Sequence, residues 1–484
     1  MTLSTLEFEN YILDNVHGFI GLTKVENIIE RLPIFQRLRR IKQLGLGNWI
    51  FPGAEHTRYS HSLGVMHIID QMAIKLRFSP KERQLVRLAG MLHDIGHYPI
   101  SHIGEYAYKS KKPVNPISFF QSNAKYMETA IGELGRYSIL GNVQMSKPSN
   151  DFHHENIGTL VIKESSAIKK AIEDYAGCEI DINDICDIIT GHLDRNQNLS
   201  AMVQLLHSEL DADRIDYLLR DATASGTCYG NFELSALIKC LERRTHSKYG
   251  YEIVGVNAKG VGPAEQFLLS RSMAYSQVIQ QKHVTVLGFM AEKVMAFLAN
   301  SGKFTTLPTP DALKEWVDDH ENSKYQNFTD QIFNDSLAEI GDGSGCAPEI
   351  FRLIKSLRKY QALELSKSSS IAVSGRGKKI VRHVLNNSLY NNLINEKYLS
   401  DNQRIGIFTN VCITGHVPLK SFELAYKMSQ PDASLDDYLL QRLQNGVAFI
   451  PPEGDPELVI DQPYSIIKDL SQYNRVMIRE YCLP

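Results

Sequence analysis

The run Met91-Leu92-His93-Asp94-Ile95-Gly96-His97-Tyr98-Pro99-Ile100-Ser101-His102 places three imidazoles and a carboxylate within ten residues. It directly follows the apolar-periodic stretch Leu85, Val86, Leu88, Ala89, Met91 and Leu92, which predicts a buried helix. That helix carries His93 and Asp94 into the interior. Gly96 with Pro99 then stops it, so that His97 and His102 project from an irregular turn. Buried titratable groups need partners. Neutral imidazole and ionised carboxylate are ligands for a divalent metal, and a metal removes the cost of burying them. Either histidine alone reads better as a satisfied core residue; the adjacent Asp94 and the two further histidines tip the balance to a metal.

The elements that position these groups come from three other stretches. In Phe51-Pro52-Gly53-Ala54-Glu55-His56-Thr57-Arg58-Tyr59-Ser60-His61, the Pro-Gly turn leads to Ser60 as an N-cap. The helix then continues through Met66, Ile69, Met72, Ala73 and Leu76, with His61 in its first turn. A first-turn histidine is commonly a surface residue; its weight here comes from His93-Asp94 downstream and from nine of the 16 histidines lying before residue 155. In His207-Ser208-Glu209-Leu210-Asp211-Ala212-Asp213-Arg214-Ile215-Asp216-Tyr217, Ser208 with Asp211 resembles a capping box and starts a helix before Asp213. On it Asp213, Tyr217 and Arg220, and also Arg214, Tyr217 and Asp221, share one stripe. Surface salt bridges explain that stripe as well as chemistry does. Third, Phe35, Leu38, Ile41 and Leu44 recur at helical spacing before Gly45, with Arg37, Arg40 and Lys42 on other faces that read as solvated. Gln43 sits at that helix end.

Residues 103–151 form a 49-residue polar segment, either a lid over the site or a surface insertion, ending at His153-His154-Glu155. From Ala264 to Leu298 a long amphipathic pattern carries Arg271, Tyr275 and Lys282. Composition shifts after Ser301-Gly302, so the expected organisation is a core over residues 1–300 and a mixed C-terminal lobe over 301–484. The 484 residues suffice for a sizeable core, and 43% hydrophobic with 22% charged residues is ordinary for a globular protein. A net charge of −3 gives no overall field favouring nucleic acid or an anionic membrane. Seven scattered cysteines never form a C-x-x-C pair, and no run approaches a membrane span, so the expectation is a cytoplasmic protein without a membrane partner.

The contexts Arg58-Tyr59-Ser60-His61-Ser62-Leu63-Gly64-Val65, His93-Asp94-Ile95-Gly96-His97 and Asp213-Arg214-Ile215-Asp216-Tyr217, with Phe35-Gln36-Arg37-Leu38-Arg39-Arg40-Ile41-Lys42-Gln43-Leu44-Gly45, closely resemble the HD-domain deoxynucleoside triphosphate triphosphohydrolases (dNTPases, dGTPases). The likeness runs from about Phe35 to about Leu298 and fades beyond residue 300. It implies a mainly α-helical core with one divalent metal, Mn, Fe, Zn or Mg, held by His61, His93, Asp94 and Asp213, and further Mg travelling with the triphosphate. It implies that His97, His102 and His154 are the catalytic and phosphate-contacting histidines, with Glu105 at the orienting Asp position. Arg58, Arg214 and Arg271 match triphosphate contacts, and Gln43, Tyr217 and Asp221 match sugar contacts.

Three departures stand out. Ile279 replaces the tyrosine that packs on deoxyribose, the segment after His102 is long, and Arg31 occupies the position of an acidic residue that binds an activating guanine in regulated members. The expected reaction is hydrolysis of a dNTP to deoxynucleoside and triphosphate. The alternatives are an HD phosphodiesterase or nuclease acting on signalling nucleotides or nucleic-acid ends, and a catalytically silent nucleotide-sensing scaffold. The likeness also implies a homo-oligomer. Two basic clusters, Arg352, Lys355, Arg358 and Lys359, then Arg376, Lys378, Lys379 and Arg382, are each either solvated charge or a site for a nucleotide or single-stranded nucleic-acid effector.

Overall fold

Helix Arg58–Lys75 (α2) is the axis of the protein. Thr57 caps it in a capping box with Ser60 at the third helical position, one turn earlier than the expected Ser60 cap. Thirteen of its 18 residues are buried, polar Ser62 and Asp70 included. A computed structural model describes residues 6–109, 150–318, 323–341, 346, 348–374, 404–412, 435–470 and 473–482. Arg376, Lys378, Lys379 and Arg382, and most of the 103–151 segment, lie outside the described residues.

Against α2 packs Pro80–Leu92 (α3), which opens with Pro80 at its first position behind a Ser79–Glu82 capping box and ends at His93. Before them, Lys24–Glu30 (α1) follows a hairpin of Asn10–Asp14 (β1) and Gly18–Leu22 (β2). After them come His102–Lys109 (α4), His154–Glu164 (α5), Ile182–Thr190 (α6), Ser200–His207 (α7) and Ala212–Ser225 (α8). Val261–Ala274 (α9) and Lys282–Ser301 (α10) complete the layer. The observed architecture is mainly helical, as the likeness implied.

Several local expectations fail for physical reasons. The apolar spacing over Phe35–Leu44 does not give one helix. A short helix, Pro33–Gln36, runs into a 3-10 turn, Arg37–Arg40, and Ile41 is extended, so that Lys42 can bridge to Thr57. The cap of α8 is Asp211, whose carboxylate accepts the Arg214 N–H at 2.7 Å, and not a Ser208 capping box. The pattern from Ala264 to Leu298 is broken by a π-turn, Tyr275–Ile279, and restarted by Gln281, whose side chain caps α10. Among the described residues, α10 alone is long and apolar enough to cross a membrane, yet 78% of its apolar window is buried inside the protein.

Beyond Gly302, Leu313, Tyr325, Phe328, Phe333, Leu353 and Ile354 are buried in the same core cluster as α2, α3 and α10. The change near residue 300 is therefore one of composition, not a gap in packing. A sheet in the order β3 (Leu241–Thr245), β4 (Glu252–Val256), β7 (Ala448–Phe449), β8 (Glu457–Leu458) further ties residues 448–458 to the chain before residue 300. A second antiparallel sheet orders β5 (Leu365–Ser374), β9 (Tyr473–Cys482) and β6 (Arg404–Cys412).

Candidate active site

Two glycines set how closely the site-bearing elements approach. A Cβ on Gly64 of α2 would lie 1.9 Å from Asp216 Oδ1 and 2.5 Å from an Arg220 nitrogen, so only glycine lets α8 bring Asp216 against α2. A Cβ on Gly96 would lie 2.0 Å from the His154 carbonyl oxygen and 2.3 Å from the Gly158 nitrogen. The turn after α3 is thereby pressed onto the start of α5, and His97 stacks on His154 at 4.3 Å between ring centres.

His61, His93, Asp94 and Asp213 converge as the likeness implied. His61 Nε2 lies 2.9 Å from Asp213 Oδ1 and 3.7 Å from Asp94 Oδ2, and His93 Nε2 lies 3.4 Å from Asp94 Oδ1. Ligand atoms of His61, His93 and Asp94 all fall within 4.8 Å of one another, a spacing that one divalent ion can span. The tautomers fit such an ion. His61 donates Nδ1–H to Asp216 at 2.7 Å and His93 donates Nδ1–H to the Gly90 carbonyl at 2.8 Å, so each aims Nε2 inward. Both Nε2 atoms are buried without a hydrogen-bond partner among the described residues, which a metal would satisfy. Burial disfavours a charged His61, but Asp213 and Asp216 outweigh it and lift its pKa to about 10: this point draws positive charge. Burial also works against an ionised Asp94, yet Arg58 at 2.8 Å, helped by the neighbouring histidines, holds its carboxyl well below the usual range. Asp213, with 35% of its side chain exposed, is the most accessible of the four.

Beside the cage lies a second cluster. His97 is fully buried, and neither ring nitrogen has a hydrogen-bond partner among the described residues. Burial, with Arg58 and His154 nearby, pushes its pKa well below the ordinary value, so it is neutral. His154 donates Nδ1–H to Glu105 at 2.6 Å; burial opposes its charge, but Glu105 prevails and raises its pKa to about 9. Glu105 also faces His102 at 3.4 Å and pairs with Lys109. His102 has 56% of its side chain exposed and is the histidine of this cluster most open to a ligand. His153, whose ring stacks on His154 at 4.6 Å, extends the cluster by one ring.

The expected substrate contacts fall into three groups. Arg58 is buried and committed to Asp94 and to Ser101 Oγ, at 2.8 and 3.0 Å, so it supports the cage. Arg214 pairs with Asp211 and Arg271 with Glu209, while the Tyr217 and Tyr275 hydroxyls stand 3.5 Å apart across α8 and the end of α9. Asp221 accepts from His56 Nε2 at 2.7 Å, and the Gln43 N–H donates to the His56 carbonyl at 3.1 Å. Ile279 closes the π-turn, and Arg31, exposed, ends α1. Arg220 leaves the expected stripe: it is buried, bound to Asp216 at 2.9 Å and to Asp14 at 2.8 Å. In the basic cluster of residues 352–359, Arg358 donates Nε–H to the Leu337 carbonyl at 2.9 Å, capping the helix Asp330–Glu339.

The sequence reading missed Asp216, which orients His61 and is itself held by Arg220 and by His17 at 2.6 Å. Its spacing three residues after Asp213 on the same helix was the available signal. His17, far away in sequence, offered none.

Residues 58–221 match the HD domain. The chain carries an HD domain, and the buried His61, His93 and Asp94 cluster fits the divalent metal that an HD domain implies. An uncharacterized protein from Methanocaldococcus jannaschii is 30% identical over 284 residues, covering 59% of this chain and 49% of that one. The deoxynucleoside triphosphate triphosphohydrolase SAMHD1 from Homo sapiens is a homologue, 27% identical over 386 residues, covering 72% of this chain and 54% of that one. The chain spans about half the length of the curated relatives it matches. A hypothetical protein from Aquifex aeolicus has the same fold, with a TM-score of 0.63 at 22% identity over 98% of this chain and 96% of that one.

Proposed function

We propose that this protein hydrolyses deoxynucleoside triphosphates to deoxynucleoside and intact triphosphate. The observation that carries the reading is the pair of buried, unpartnered Nε2 atoms of His61 and His93, facing Asp94 and Asp213 beside the His97–His102–His154 cluster. A divalent metal bound there supplies Lewis-acid polarisation of a phosphoryl oxygen and lowers the pKa of water. The chain's residues do the rest. Arg214 and Arg271 hold phosphate oxygens, exchanging their bonds to Asp211 and Glu209 for bonds to the triphosphate. Tyr217, Gln43 and the Asp221–His56 pair face the sugar. Water oxygen bonds to the α-phosphorus and releases a proton to solvent, the bond from that phosphorus to O5′ breaks, and His102 gives a proton to the leaving O5′ and regains one from solvent. Glu105 holds His102 on one side and His154 on the other, where imidazolium favours the developing phosphoryl charge.

The relatedness to a deoxynucleoside triphosphate triphosphohydrolase supports the substrate class. Incubating the purified protein with each dNTP and with Mn, Fe, Zn or Mg tests it: tripolyphosphate is the expected inorganic product, and pyrophosphate or orthophosphate instead would refute the α-cleavage. Ile279 favours a second reading, relaxed sugar discrimination, because an aliphatic side chain offers no ring to pack on deoxyribose. Parallel reactions with ribonucleotides measure it.

A further inference from the structure

The turn that follows the His93-Asp94 pair is held in a costly shape. Ile100 and Ser101 both have φ of 57°, a left-handed conformation that is a genuine outlier for a β-branched residue such as Ile100. Strain of this kind persists only where the surroundings over-determine it. Three groups do so here, and two of them come from the chain after residue 320.

Asp330 accepts two backbone N–H groups, Ile100 at 2.7 Å and Lys42 at 2.8 Å. Arg37, fully buried, donates to the carbonyls of Phe328 at 3.0 Å, Ile95 at 3.2 Å and His97, and its guanidinium lies over the Tyr325 ring at 4.3 Å. The Tyr325 hydroxyl donates to the Ile95 carbonyl at 3.1 Å. Both ends of the turn, Ile95–His97 and Ile100, are thus pinned by Arg37 and by the segment Tyr325–Asp330, which lies outside the matched segment 58–221. The consequences reach the chemistry by a short path. Ser101 Oγ donates to the Lys42 carbonyl at 2.7 Å and accepts from Arg58 Nε at 3.0 Å, and Arg58 holds ligand Asp94 at 2.8 Å. His102 is the next residue after Ser101, and Gln43 the next after Lys42.

We propose that Asp330 is a positioning residue for catalysis, a carboxylate that ties the Lys42–Gln43 strand to the Ile100–Ser101 turn and so aims His102 and, through Ser101 and Arg58, Asp94. Two parallel N–H donors facing one carboxylate cannot both be satisfied by a carboxamide, because one of its two ends is a donor. Asp330→Asn is therefore nearly isosteric and breaks one tie only.

This inference rests on the hydrolase reading above, and the experiment separates the two. Wild type, Asp330→Asn and Asp330→Glu are compared for kcat and KM on whichever substrate the wild type turns over, dNTP or the generic phosphodiester bis-p-nitrophenyl phosphate, together with metal content and Tm. The expected result for Asp330→Asn is a kcat lowered roughly 10–100-fold with KM within about threefold, since a misplacement near 1 Å can cost a factor of that order. Metal content stays at the wild-type value, and Asp330→Glu, which restores both acceptors, recovers part of kcat. In parallel, amide hydrogen exchange of a peptide covering residues 95–104 accelerates in Asp330→Asn while peptides from α10 do not change. A lowered Tm with unchanged kcat, or unchanged exchange at residues 95–104, overturns the proposal. Absence of dNTP turnover by wild type would overturn the substrate reading, and the phosphodiester kinetics with the exchange data would still decide the role of Asp330. Asp330→Ala, which removes both ties, must give the larger kcat loss of the two; a smaller one also overturns it.

Discussion

The metal cage and the arginine wall of Arg214 and Arg271 meet at α8, which carries Asp213 and Arg214, yet they are built on opposite terms. In the cage, three of the four residues are fixed from behind: His61 by Asp216, His93 by Gly90, and Asp94 by Arg58. Among the described residues, the inward Nε2 atoms of His61 and His93 lack hydrogen-bond partners. In the wall the reverse holds. Arg214 and Arg271 point their guanidiniums at acids of their own chain, Asp211 and Glu209, so an incoming anion must replace an existing bond. A preorganised cage pays its ordering cost on folding, whereas a self-paired wall defers part of it to binding. Changes in the cage should therefore act on metal and turnover, and changes in the wall on substrate affinity.

The sharpest way to break that contrast is at the ligands. Asp213→Ala, or His93→Ala with Asp94→Ala, should abolish metal retention and turnover together, because the remaining donors carry too little charge to hold a divalent ion. A metal-depleted Asp213→Ala protein with full activity would end the assignment. Next in size, His102→Ala should keep its metal and lose roughly 10²–10⁴-fold in kcat, the usual worth of a general acid; metal analysis beside steady-state kinetics reads both.

Asp216→Asn tests whether support from behind matters as much as the ligands do. The amide can no longer accept from His61, His17 and Arg220 alike, and metal affinity should fall about 10–100-fold, the effect typical of such supporting partners. Competition with a chelator measures it, and an unchanged affinity would remove Asp216 from the site.

The His154–Glu105 pair gives a pH test. His154 is raised from 6.5 to about 9, so its contribution to stability is complete below pH 6.5 and is lost as pH rises through about 9. Glu105 is held well below 4.5, so its contribution is present above pH 4.5 and disappears as pH falls through its lowered value. The Tm difference between wild type and His154→Gln should accordingly be largest between about pH 4.5 and 6.5 and shrink toward pH 10; a difference that does not shrink contradicts the pairing. The smallest effect belongs to the wall. Glu209→Gln frees Arg271 from its internal carboxylate and should lower KM about two- to fivefold with kcat nearly unchanged, while Arg271→Ala raises KM. If Glu209→Gln raised KM instead, Glu209 would be a binding group in its own right.

The sequence by itself pointed to a metal at His93 and Asp94, because their chemistry is local: they are adjacent at the end of a periodic apolar helix and two further histidines follow. Only the family likeness added His61 and Asp213 to that pair. The likeness then extended this to His97, His102, His154 and Glu105, which the fold does bring together. Only the tertiary structure decided what holds these groups in place. His17 meets Asp216 across 199 positions, Asp330 meets Ile100 across 230, and Arg37 meets Phe328 across 291. Helical periodicity even misplaced Arg37 on a solvated face: its segment is a 3-10 turn, and its buried guanidinium reaches three backbone carbonyls. A pattern of period 3.6 reports which side of a helix is apolar. It carries no term for a buried charge whose partners lie in another part of the chain, and such charges are what aim this site.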